Sequence, residues 1–320
     1  MTAYEPVVVN QSSGAADGAF AWVTAGAAWL VLLLLGATAV SMAWGGRLAF
    51  QTFGWYFITS SEWDAVNNQF GALVPMYGTL VTSALALIVA VPVSIGIALF
   101  LTEIAPRWTR GPIGIAIELL AAIPSIIYGM WGLFVFAPFM GAQIEPWLND
   151  HLGTLPLIGS LFKGPPIGIG MLTAGIVLGV MIIPFIAAVA RDVFNAVPAP
   201  LKESAVALGS TRWEVLTRVT LPYTRSAVIG AVFLGLGRAL GETMAVTFVL
   251  GNAHDLSPSL LMPSNSIAAA IANEFTEADT DLYRSSLIAL AFLLFVVTVI
   301  VLSLAKLLLL RLKKTHGRTH

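Results

Sequence analysis

Six apolar stretches, each long enough to cross a hydrocarbon core as a helix, constrain this chain more than any other feature. Crossing takes about twenty helical residues. The stretches run over about Ala19–Trp44, Gly71–Leu101, Gly111–Met140, Ile167–Ala190, Ala227–Gly251 and Ser286–Leu310. Lipid offers no partner for backbone N–H and C=O groups, so such segments must be helices that bond their own backbone. The expected fold is all-α, a polytopic membrane protein with six transmembrane helices. Hydrophobic residues make up 58% of the chain and charged ones only 10%, which excludes an ordinary soluble domain. The first stretch has no basic segment ahead of it and is too long for a secretory leader, so it is expected to be retained. A single transmembrane domain is expected over residues 19–310, between a polar, disordered tail over 1–18 and a basic tail over 311–320.

The distribution of bases sets the expected orientation. Twelve of the sixteen Lys and Arg residues lie between stretches two and three, between four and five, or at the C-terminal end of the sixth and beyond it; Arg47, Lys163 and Arg284 alone lie on the other side. Basic loops stay cytoplasmic, so both termini and the segment at about 191–226 are expected inside the cell. The outer loops are acidic, with Glu62, Asp64, Glu145, Asp150, Asp255, Glu274, Glu277, Asp279 and Asp281. Such a face does not steer an anion inward, but it suits a protein partner. Within it, Ile267, Ile271 and Phe275 share one face of a helix behind Ser266 as N-cap. That helix is expected either at the membrane surface, lining the outer mouth, or packed on the spans.

Several chemistries are excluded. There is no Cys, and His151, His254, His316 and His320 are scattered, so neither thiolate chemistry nor a metal site is expected. None of the five lysines follows a Gly, so no phosphate-binding Walker loop exists. The chain is expected to carry no cofactor, and any ATP and Mg2+ would sit on a partner.

The cytoplasmic segment between stretches four and five has a distinctive spacing. Glu203, Ser204 and Ala205 are followed, after three intervening residues, by Gly209 and, after nine more, by Val219, Thr220, Leu221 and Pro222. Pro200 suits the first turn of a helix that meets no breaker before Leu208, and Gly209 suits a left-handed C-terminal cap. Thr211 and Glu214 form a capping box for a second short helix, which Pro222 is expected to end. A DNA-reading helix-turn-helix shares parts of this pattern, but spans on both sides deny it the groove, so nucleic acid is not an expected partner.

Arg238 and Glu242 fall inside the fifth stretch, where translocon scales put such a side chain at about 2.5–3.5 kcal/mol. Four residues apart on one helix, they are expected to pair within it. Gly237 and Gly241 beside them allow close helix approach or leave room for a ligand. The pair either braces helix packing or marks a substrate path, Arg238 offering a planar fork of donors to an oxyanion and Glu242 keeping the anion from being held too tightly. Pro92, Pro124 and Pro184 each free a carbonyl in a span, and the hydroxyls of Ser125 and Tyr128 follow the second of them as candidates to line a polar route.

The 203–222 spacing resembles the EAA loop of ABC importer permeases, with Ser204 and Val219 as small departures. The run Gly237–Val246 resembles the fifth span of the phosphate-specific members, and Leu119–Ser125 with Tyr128 and Gly129 is similar to their third. The outer segment from Ser257 through Phe275 is less like the PstA-type permease than like the permease it pairs with, although Ser266 stands where Thr is expected. The resemblance implies a type I ABC importer permease architecture, half of a pore for inorganic phosphate in a bacterial inner membrane. It implies as partners a PstA-type permease, two copies of a PstB-type ATPase docking at Glu203, Ser204, Ala205, Gly209, Leu221 and Pro222, and a PstS-type phosphate-binding protein, with lipid around the spans. A permease for sulfate or molybdate, a PstA-type subunit, and an ion-coupled secondary transporter using Arg238 and Glu242 as a relay are the competing readings.

Overall fold

The computed structural model describes residues 14–316. Fifteen helices and one two-stranded ribbon make up the described chain, and six helical stretches are long and apolar enough to cross a membrane. Span one is α1 (Gly14–Gly45), and α2 (Arg47–Phe53), α3 (Tyr56–Thr59) and the ribbon β1 (Trp63–Asp64) and β2 (Gln69–Phe70) follow it. The ribbon is antiparallel, Trp63 facing Phe70. Span two is α4 (Leu73–Leu99), extended by a widened π-type turn over Phe100–Ile104, and α5 (Arg107–Ala121) comes next. Span three joins α6 (Ser125–Trp131), α7 (Ala137–Phe139) and α8 (Glu145–His151) through two more π-type turns. Span four is α9 (Met171–Asn195), followed by α10 (Ala199–Ala207). Then α11 (Arg212–Val215) runs into α12 (Leu221–Leu240), the fifth span, and α13 (Met244–Leu250), α14 (Ile267–Glu274) and α15 (Asp281–His316) complete the chain.

Two boundaries differ from the sequence expectation for a physical reason. The apolar run 111–140 is not one span: Pro124 lacks an N–H and disfavours helical geometry at Ile123, so α5 stops at Ala121 and the span restarts at Ser125. The span then reaches His151, and Glu145, expected in an outer loop, is wholly buried and accepts a 2.8 Å hydrogen bond from the Gly168 N–H. At the other end, α15 stays helical as far as His316, past the expected start of the tail at 311. Leu, Lys and Arg are good helix formers, so little opposes this extension.

The centre of the fold is the pair α4 and α9. Between lipid-bathed helices apolar burial drives little, and close packing takes its place. Small residues make that packing possible: a Cβ on Gly175 would lie 2.5 Å from the Leu85 Cβ, and one on Gly179 would lie 3.2 Å from the Ala86 carbonyl oxygen. The proline-bearing stretches of the two helices lie side by side, where Ser94 Oγ donates to the Ile183 carbonyl at 3.0 Å. Val246, Val249 and Leu250 of α13 complete this core.

A second cluster joins the segment after span one to the segment before span six, where Phe57, Phe70, Ile267, Tyr283 and Leu287 are buried together. Here α14 packs on α4 and α15, its Ser266 cap accepting from the Ala269 N–H at 3.1 Å and Thr79 Oγ1 accepting from the Ile267 N–H at 3.0 Å. Of the three residues expected on one face, Ile267 is buried, whereas Phe275 is 45% exposed. The packed alternative describes this helix.

Candidate functional site

The fifth span is broken, and the break creates the candidate site. Helix α12 ends at Leu240 with Gly241 as its cap, and α13 restarts at Met244. Arg238 therefore sits in the last turn of a half-helix rather than in mid-helix. Its guanidinium carbon lies 5.7 Å from the centre of the Phe185 ring on α9, a cation–π distance, and the side chain is otherwise exposed on the surface of its own chain. Free carbonyls at the end of α12 favour a cation there.

The intrahelical pair expected between Arg238 and Glu242 does not form. Among the described residues no ion pair joins them. The chain leaves helical geometry at Gly241, and the Glu242 carboxylate turns to the following helix, where Oε1 accepts from the Ala245 N–H at 3.2 Å. The N-terminus of α13 is thus already supplied with a carboxylate, while among the described residues none pairs with the Arg238 fork. The nearby glycines divide the two uses expected of them, Gly237 and Gly241 leaving room and Gly235 making the close approach. Close helix approach is made by Gly235, where a Cβ would meet Ile186 Cδ1 at 2.6 Å, whereas beside Gly237 and Gly241 nothing lies closer than 3.8 Å.

A second break packs against the first. Pro124 precedes α6, and the Tyr128 hydroxyl reaches back across the gap to donate to the Leu120 carbonyl at 2.9 Å. Gly129 is the contact point: a Cβ there would lie 3.0 Å from both the Met244 carbonyl oxygen and the Ala245 Cα. Tyr128 and Phe185 flank the same core, and Tyr128 lies within electrostatic reach of Arg238. Ser125, the first residue of α6, lies at the end of that second break. The four residues singled out as a path, Arg238, Glu242, Ser125 and Tyr128, thus belong to two adjoining helix interruptions. Interrupted spans of this kind expose backbone polar groups only where protein or a cavity receives them.

The candidate coupling segment is a helical elbow. Pro200 lies in the first turn of α10, and Ser204 Oγ donates to its carbonyl at 2.6 Å. Gly209 has φ +87°, with its N–H bonded to the Val206 carbonyl at 2.9 Å and the Ser210 N–H to that of Ala205 at 3.1 Å. Those two bonds are a Schellman motif. The capping box at Thr211 and Glu214 is complete. Pro222, however, does not end the second helix: a widened turn over Leu216–Thr220 runs straight into α12, with Pro222 in its first turn. The wider turn takes up the proline ring and the missing N–H. Glu203 is exposed, and Leu208 and Trp213 are 88% and 68% exposed, so the elbow presents an apolar surface with an acid on it. An open cleft of about 460 Å³ lies between α10, α11 and Glu103.

Sequence reasoning missed a polar cluster beside the second hydrophobic cluster. Glu274 Oε2 accepts from Trp63 Nε1 at 2.6 Å and from the Tyr283 hydroxyl at 2.7 Å, and its Oε1 lies 2.9 Å from His254 Nε2. Burial raises the Glu274 carboxyl, but the hydrogen bonds from His254, Tyr283 and Trp63 outweigh it and hold the group below the usual carboxylate range. Trp63 and Glu274 are 211 positions apart, and no local spacing announces such a contact.

The sequence matches the model of the family described as "Binding-protein-dependent transport system inner membrane component" over residues 90–314. It is 62% identical, over 94% of its own length and 93% of the other, to the "Phosphate transport system permease protein PstC" of Xylella fastidiosa. The protein of the same name from Pasteurella multocida is 58% identical over 90% of both chains. A "Probable phosphate transport system permease protein PstC" from Methanocaldococcus jannaschii is 37% identical over 79% of this chain and 81% of its own. Among solved structures, a chain of a bacterial alginate ABC transporter in complex with alginate pentasaccharide-bound periplasmic protein superposes with a TM-score of 0.57. The match covers 92% of this chain and 96% of that one at 18% identity, a likeness of fold alone.

Proposed function

This chain belongs to the binding-protein-dependent transport system inner membrane component family, and on that premise we propose that it is the PstC-type permease subunit of an ATP-driven phosphate importer. It supplies half of the transmembrane pathway, and a PstA-type permease supplies the other half. The observation that carries the substrate assignment is Arg238, a fork of donors at a helix break with no carboxylate among the described residues paired to it and with its exposed side turned away from its own chain. A planar bidentate donor matches the oxygens of phosphate, and a guanidinium left facing lipid would be costly. Glu242 caps α13 and keeps a negative charge near the path, so that the anion is passed on rather than trapped. Ser125 and Tyr128 border the same route from the second break.

In this reading the elbow around Glu203, Ser204, Ala205 and Gly209 docks on a PstB-type ATPase, present in two copies, with Leu221 and Pro222 joining it to the fifth span. ATP and Mg2+ are held by that ATPase, and a PstS-type protein delivers phosphate to the outer face. The chain would be multi-pass in the bacterial inner membrane with both termini cytoplasmic. Uptake of labelled phosphate tests the assignment: cells lacking this chain should lose high-affinity uptake, and its return should restore phosphate but not sulfate or molybdate entry. Restoration of sulfate or molybdate uptake instead would transfer the assignment to that anion.

Orientation has its own test, made simple by a chain without Cys. Leu157, 92% exposed in the loop after α8, should react as Leu157→Cys with an impermeant maleimide on intact cells. Thr315→Cys should react only after permeabilisation. The reverse pattern would invert the topology.

A further inference from the structure

We infer that Lys202 is the tether through which the elbow moves the membrane spans, a positioning role that rests on the permease reading above. Helix α10 has no buried residue, and Leu201, Val206 and Leu208 are all exposed, so apolar packing does not fix it to the body of the protein. Among the described residues, Lys202 is the only side chain of α10 hydrogen-bonded to a span. Its ammonium reaches Glu103 Oε1 at 2.5 Å and lies 3.5 Å from the Phe194 carbonyl oxygen.

The two acceptors belong to the two helices that form the central core. Glu103 lies in the π-type turn that ends span two, and Phe194 lies in the last turn of α9, its side chain fully buried against Ala98 and Ala190. Lysine suits this double duty because its ammonium carries three donors on a long stem. Both charged side chains are only about a fifth to a quarter exposed, at 24% and 21%, so water and salt screen the pair less than they screen a surface ion pair. The Glu103 end is also placed where movement is cheap, since a widened turn can return to α-helical winding and shift the helix that follows it. Displacement of α10 therefore pulls on α4 and α9 together, and α9 carries Phe185 beneath Arg238.

The test is made on the complete importer in proteoliposomes, comprising this chain, its permease partner, the ATPase and the binding protein. Lys202→Met and Glu103→Gln should leave the ATPase co-purifying and hydrolysing ATP, while phosphate imported per ATP falls by roughly tenfold. Lys202→Arg, which keeps a cation and several donors, should retain most of the yield. The exchanged pair Lys202→Glu with Glu103→Lys should recover more than either single change, which loss of packing alone would not produce. An unchanged yield in Lys202→Met overturns the tether and leaves the permease reading standing. Loss of the ATPase from both single variants also overturns it, because Lys202 would then be part of the docking surface. Failure of the unaltered complex to import phosphate at all sinks the permease reading, and the tether with it.

Discussion

Arg238→Ala should abolish phosphate uptake while the importer still assembles in the membrane. The side chain makes no ion pair among the described residues, so its removal leaves no carboxylate stranded: Glu242 keeps its bond to the Ala245 N–H. What is lost is the donor fork facing the path, and truncating one member of a desolvated charge contact costs about 3–5 kcal/mol, roughly 10²–10³-fold or more in rate or affinity. Arg238→Lys should remain badly impaired, because an ammonium is a point charge and cannot bind two oxygens in one plane. Glu242→Gln should be milder in assembly, since the amide oxygen can still accept from Ala245, and any defect it shows then reports the loss of charge. A packing brace predicts the opposite pattern. Recovery of uptake in Arg238→Met combined with Glu242→Leu would overturn the pathway assignment.

Gly209→Leu should stop transport and leave membrane insertion intact. No atom lies within 4 Å of a Cβ built at Gly209, so the side chain itself meets nothing; the penalty is the backbone at φ +87°, about 1 kcal/mol for an L-residue. Relief of that strain opens the two bonds from Gly209 and Ser210 that close α10, and it turns α10 away from the capping box that starts α11. The exposed Leu208 and Trp213 would then no longer form one surface. Gly209→Asn should be tolerated better, because Asn adopts the left-handed region more readily. Labelled uptake and co-purification of the ATPase measure both effects, and full uptake by Gly209→Leu would remove the elbow from the mechanism.

The parts of this molecule legible in the sequence are those governed by local chemistry. Thr211 with Glu214, Gly209 after a breaker-free run, and Ser266 before Ile267 are each readable from a few neighbouring residues, and each has the geometry it implies. The number of spans follows from apolar length in the same way. Helix continuity was harder to read, because it depends on choices a few residues cannot announce. Gly241 ends a helix that Gly235 and Gly237 do not, and Pro124 breaks a span where Pro92 and Pro184 remain inside theirs. A periodic reading that assumed an unbroken fifth span set Arg238 and Glu242 on one face, and the break undid that pairing. Pro222 failed as a stop signal because a π-type turn absorbs it, and nothing in the residues themselves marks such a turn. The Trp63 to Glu274 and Lys202 to Glu103 contacts join residues 211 and 99 positions apart, beyond any local rule.

The seam at Gly45 and Gly46 has a consequence for how the protein is made. Span one touches the rest of the chain chiefly along α15, where a Cβ on Gly45 or Gly46 would lie 2.9 Å from Ile288 or Ala289, and where Ser285 donates to the Gly45 carbonyl at 2.8 Å. That bond spans 240 positions. At about 5–20 residues per second a ribosome takes roughly 12–48 s to add that length, so the first helix must wait in the bilayer for the last. It is suited to waiting: no described side chain from Asp17 to Gly45 is buried, and Thr24 and Thr38 hydrogen-bond back to their own helix at 2.9 Å and 2.8 Å, so neither hydroxyl needs a neighbour. Emergence of α15, rather than of any earlier span, is then the event that lets this seam close.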